Sequence, residues 1–160
     1  MLLAVDFLPQ VTFESLTPAA DLAAVSIGDP GDPSPLNLAG FASVLRMEFL
    51  DCDGSEPGVP ETALVRPSQI ADLLDFLRAL HAAEIRYRLA VHCRMGVSRS
   101  AAVALVAEAV SGCACPRRED AHDANRRVVA LAAAQMAQPI SIPDKPAPGT
   151  HLYLPPALLI

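Results

Sequence analysis

One stretch constrains this chain more than any other: "RYRLAVHCRMGVSRSAAVALVAEAVSG", residues 86–112. It opens as a strand, apolar enough at its end to sit centrally in a sheet. A short loop containing Gly96 follows. From Arg99 to Ser111 the chain is rich in Ala and Val and reads as a helix, and Gly112 suits its C-terminal cap. A central strand that runs straight into a helix is the building unit of α/β folds.

The neighbouring segments repeat the theme. "LAAVSI" reads as a strand over Leu22 to Ile27, and "GDPGDPSP" after it is a turn region. Ser43 to Phe49 reads as another strand. Apolar Ile70, Leu73, Leu74, Leu77 and Leu80 recur at helical spacing in "PSQIADLLDFLRALHAAE", with Pro67 in the first turn and Ser68 as a cap. "NRRVVALAAAQMAQ" is a further helix. The expected fold is a three-layer α/β domain with a mostly parallel central sheet flanked by helices. One domain covers residues 1–160, with a proline-rich tail from about 139.

Composition narrows the function. At 52% hydrophobic, the 160 residues can bury a sizeable core. The net charge of −6 argues against nucleic acid and anionic membranes as partners. No apolar run reaches the roughly 18 residues that span a bilayer. "MLLAVDFLPQV" lacks a basic leader and is a poor signal peptide. The four cysteines have no disulfide-framework spacing, so a reducing, cytoplasmic setting is expected.

In open parallel sheets, ligands sit beyond the carboxyl ends of the strands, and Cys93 stands there. A loop entering a helix directs several backbone N–H groups at one point, where the helix dipole favours negative charge. Gly96 permits close approach or positive φ. Arg99 offers a planar fork to two oxygens. The loop therefore suits a tetrahedral oxyanion, phosphate or sulfate. The same field favours a cysteine as thiolate, a nucleophile for phosphorus. Ser100 is placed to hydrogen-bond the sulfur. Ser98 helps the loop keep its shape, and His92 orders it by bonding backbone.

"VHCRMGVSRSAA" resembles the signature loop of the cysteine-dependent protein tyrosine and dual-specificity phosphatases. More narrowly, the chain is similar to a bacterial family of predicted tyrosine phosphatases. "AVSIGDP", "LRMEFLDC" and "ANRRVVALA" carry the likeness over about residues 20 to 135, with Ala124 where relatives have proline. The resemblance implies a dual-specificity-phosphatase-like fold and a phosphocysteine intermediate. It makes Cys93 the nucleophile, Arg99 the phosphate ligand and Ser100 the aid to thiolate departure. Arg94, Met95, Gly96, Val97 and Ser98 form the phosphate cradle. The expected substrate is a phosphorylated protein, phosphotyrosine first, with no cofactor or metal. The rival is a weak or inactive phosphate-binding or scaffolding module.

A leaving-group acid is worth 10²–10⁴-fold. In that superfamily it is an aspartate on a separate loop. "FLDCDG" offers Asp51, favoured by the resemblance, and Asp53 as the alternative. Cys52, beside them, is a candidate for a reversible disulfide with Cys93. Cys113 and Cys115 with His122 lack zinc spacing and read as a cap and turn. Arg117, Arg118, Arg126 and Arg127 read as a solvated helix face.

Overall fold

The computed structural model describes residues 1–150 and Pro155. Four strands form one sheet: β1 (Leu2–Pro9), β2 (Leu22–Gly28), β3 (Ser43–Glu48) and β4 (Tyr87–Cys93). Their spatial order is β1-β4-β2-β3 and every pairing is parallel. The helices are α1 (Gln10–Glu14), α2 (Pro67–Ala82), α3 (Arg99–Ser111) and α4 (Arg126–Met136). Among the described residues, no helix is long and apolar enough to cross a membrane.

Alternation along the strands sorts the side chains into two faces. Val25 and Ile27 of β2 and Leu89, Val91 and Cys93 of β4 pack with α2, α3 and α4. Leu22 and Ala24 of β2 and Ala90 of β4 pack on the other face with Phe13 and Phe41. The layers are unequal. Among the described residues, the second face is covered by α1, the three-residue helical turn Leu38–Gly40 and loops, whereas the first carries the three longer helices. On α2 the spacing of Leu73 and Leu77 puts both fully inside the core. Truncating either to alanine costs about 2–5 kcal/mol. Helix α3 lies deepest. Its residues from Arg99 to Ala107 are all buried, and alanine at 101, 102, 104 and 107 lets the sheet, α2 and α4 approach it closely.

Three local features differ from the sequence reading. The opening segment, considered there only as a leader, is edge strand β1, whose partner β4 lies far away in sequence. The cap of α2 is Arg66 rather than Ser68, because Pro67 already holds the first helical position; the Gln69 side chain accepts the Arg66 N–H at 3.0 Å. Arg117 does not stand on a solvated face. It is 12% exposed, donates to the Phe7 carbonyl at 2.7 Å and pairs with Asp120 at 3.0 Å, with its guanidinium over the Phe7 ring. The proline-rich segment after 139 forms neither strand nor helix up to 150, although Ile140 and Ile142 pack on the core. Its apolar end, "LYLPPALLI", lies outside the described residues apart from Pro155.

Candidate active site

β4 ends at Cys93 and α3 begins at Arg99, so residues 94–98 turn the chain between them. Gly96 makes the turn possible. Its φ is +69°, and a Cβ there would lie 2.2 Å from Pro9 N and 2.3 Å from the Leu8 carbonyl carbon. Both are backbone atoms of β1 and cannot yield. The loop is thus wedged against the end of the edge strand, and Gln10 N donates to the Arg94 carbonyl at 3.3 Å. Arg94, Met95 and Val97 point to solvent, while Gly96 is buried.

The turn folds back on the cysteine. Gly96 N donates to Cys93 Sγ at 3.3 Å, and Ser100 Oγ lies 3.2 Å from the same sulfur. Arg99 is 4% exposed. Its Nη1 donates to Asp29 Oδ1 at 2.6 Å and to the Phe49 carbonyl at 2.7 Å. Its Nε is buried and makes no hydrogen bond among the described residues; the carboxylate beside it is Asp51, with Oδ2 3.9 Å away. One corner of the guanidinium is therefore anchored to the loops after β2 and β3, while the Nε–H is left for another acceptor.

Asp51 joins this group directly. Its Oδ1 accepts Ser98 Oγ–H at 2.7 Å and Asn125 Nδ2–H at 3.0 Å. Asp53 does not. Its carboxylate closes its own turn, accepting Ser55 N at 2.9 Å and Ser55 Oγ at 2.6 Å, and those bonds hold its pKa below the usual carboxylate value. Asp51 and Asp53 share a polar cleft with Ser98, Asn125 and Arg126.

His92 faces away from the sulfur, as alternation along β4 requires. Its ring packs on Phe13, with centroids 4.2 Å apart. The main hydrogen bond goes to a side chain instead of the expected backbone: Nε2 meets Ser26 Oγ at 2.7 Å, and that hydroxyl accepts Arg46 Nη1 at 2.8 Å. Burial, with repulsion from Arg46, lowers its pKa to about 4, against an opposing contact with the Cys93 backbone and with a smaller repulsion from Arg99. The imidazole is neutral at pH 7.

All four cysteines are free thiols. Burial pushes the Cys52 and Cys113 pKa values up, and that of Cys115 to about 12.

The structure thus gathers Cys93, Gly96, Ser98, Arg99, Ser100 and Asp51, and leaves Asp53 and His92 outside that hydrogen-bonded group. Sequence reasoning passed over Asp29, Asn125, Ser26 and Arg46. Asn125 had a legible signal, since asparagine ahead of an apolar helix is a frequent cap. Asp29 had none, standing in a turn where any aspartate is at home.

Comparison with known proteins adds no relative: no family model matches the chain, and neither does any curated protein or solved structure. Fold and site by themselves define a parallel α/β domain with a cysteine thiol, a buried arginine and a helix N-terminus converging at the strand-to-helix turn.

Proposed function

We propose that this chain is a cysteine-dependent phosphomonoester hydrolase of the protein tyrosine or dual-specificity phosphatase type, with a dual-specificity-phosphatase-like fold. The observation that carries the reading is Arg99. Its Nη1 is fixed by Asp29 and Phe49, and its buried Nε–H makes no hydrogen bond among the described residues. A phosphate oxygen satisfies that donor, and the α3 N-terminus favours the remaining charge.

The chemistry follows in two displacements. The Cys93 thiolate attacks phosphorus in line, an S–P bond forms, and the ester P–O bond breaks. Asp51 gives its proton to the leaving oxygen. Water then attacks the phosphocysteine, passes a proton to Asp51, and releases phosphate. The electron pair of the S–P bond returns to sulfur, which the Ser100 hydroxyl, 3.2 Å away, stabilises. Arg94 is the one cation besides Arg99 in residues 94–99, and Asp29, Asp51 and Asp53 stand close by. That charge favours a phosphoprotein, phosphotyrosine first, over a polyanionic lipid headgroup.

The test is hydrolysis of an aryl phosphate in chelator, from pH 5 to 8, by wild type and Cys93→Ser. Turnover that vanishes in the variant supports the proposal. The 1% exposure of Cys93 favours a second reading, a module that holds phosphate without turning it over. A folded wild type that binds phosphate and releases none from the ester would establish that reading instead.

A further inference from the structure

Asn125 touches three parts of the site at once and is 5% exposed. Its backbone N–H donates to the Ser98 carbonyl of the loop at 3.1 Å. Its side-chain Oδ1 accepts Val128 N–H at 3.1 Å and so caps α4. Its Nδ2 donates to Asp51 Oδ1 at 3.0 Å and to the Cys52 carbonyl at 3.3 Å. The orientation of the amide is fixed by these partners. A backbone N–H can only donate, so the oxygen must face Val128 and the nitrogen must face Asp51.

We propose that Asn125 is a positioning residue: it fastens the segment bearing Asp51 to the Cys93 loop and selects which oxygen of Asp51 carries the transferable proton. The inference rests on the hydrolase reading above. Oδ1 of Asp51 receives two donors, from Asn125 and from Ser98. A proton on that oxygen would have to displace them. The proton of the acid form therefore resides on Oδ2. That oxygen lies 3.9 Å from Arg99 Nε, the donor assigned above to the phosphate ester. The acid is aimed before substrate arrives, because the α4 cap, the loop and the acid segment share one residue. An aligned proton donor avoids the misplacement that can cost about 10²-fold.

Asn125→Ser and Asn125→Thr test this without removing the helix cap, since both residues retain a capping oxygen. Each deletes the N–H donor to Asp51. Two esters are compared: phenyl phosphate, whose leaving oxygen needs a proton, and 2,4-dinitrophenyl phosphate, whose leaving oxygen does not. The expected result is a 10- to 100-fold fall in kcat/KM for phenyl phosphate, by the general-acid scale. For the dinitrophenyl ester kcat/KM, which does not include hydrolysis of the phosphocysteine, stays within about threefold, and the alkaline limb of the phenyl phosphate kcat/KM profile flattens as in Asp51→Asn. Circular dichroism and the melting temperature identify a variant that has not folded.

Equal losses in kcat/KM on both esters in a folded variant would overturn the proposal, as would an unchanged alkaline limb. Either would leave Asn125 as a helix cap alone. Those outcomes require an active wild type. A wild type inactive on both esters overturns the hydrolase reading itself, and the proposal with it.

Discussion

Arg99 Nη1 stands 2.6 Å from Asp29 Oδ1, across 70 residues of sequence, with the arginine almost wholly buried. The guanidinium is thus held by a carboxylate from the loop after β2, not by its own loop. Removing that carboxylate leaves a buried charge with only the Phe49 carbonyl at Nη1. Asp29→Asn keeps an acceptor but loses the charge. We expect phosphate affinity to fall about 10-fold, or 1.4 kcal/mol. Calorimetric titration with phosphate reads the affinity. Unchanged binding would mean that Asp29 does not hold the arginine in solution.

Gly96→Ala is expected to remove anion binding. The new methyl would meet Pro9 and Leu8 backbone at 2.2 and 2.3 Å, at a φ that L-residues rarely adopt. The loop must leave its place, at a cost of about 1–3 kcal/mol for the backbone conformation alone. Wild type should melt later in phosphate, and the variant should show no such shift. A variant that keeps the full phosphate shift would show that the loop tolerates a side chain.

His92 sets an acid limit on stability. Its folded pKa is about 4, below the ordinary 6.5. Between those values the unfolded chain binds the proton and the folded chain does not, so stability rises with pH across that window. Acidifying from 6.5 to 4 should cost up to roughly 3 kcal/mol from this group. Urea unfolding of wild type and His92→Gln at pH 7 and pH 4.5 isolates the contribution. The difference between the two proteins should shrink or reverse at the lower pH, and parallel losses would rule His92 out as the sensitive group.

Cys113 and Cys115 should resist alkylation in the folded protein. Both are buried, with thiol pKa values raised, that of Cys115 to about 12, so little thiolate exists at pH 7.5. Peptide masses after brief iodoacetamide treatment should show both unmodified until denaturant is added. Rapid labelling of either in the native protein would contradict their burial.

Much of the local chemistry was legible because near neighbours in the sequence decide it. The α3 span from Arg99 to Ser111 and the Gly112 cap, at φ +66°, follow from spacing and from glycine's freedom. So do β2, β3, β4 and the meeting of Cys93, Gly96 and Ser100, because strand, turn and helix are contiguous. β1 escaped the reading because a parallel edge strand is defined by hydrogen bonds to a distant partner, and its pattern alone does not distinguish it from other apolar segments. Tertiary structure brings Asp51, which the resemblance favoured over Asp53, to the loop, and it alone decided that Asp29 grips Arg99 and that Asn125 ties Asp51 to Ser98. These contacts join residues 27 to 74 positions apart. Periodicity and turn propensity act over a few residues, so only the packed sheet and helices could bring such side chains within hydrogen-bonding distance.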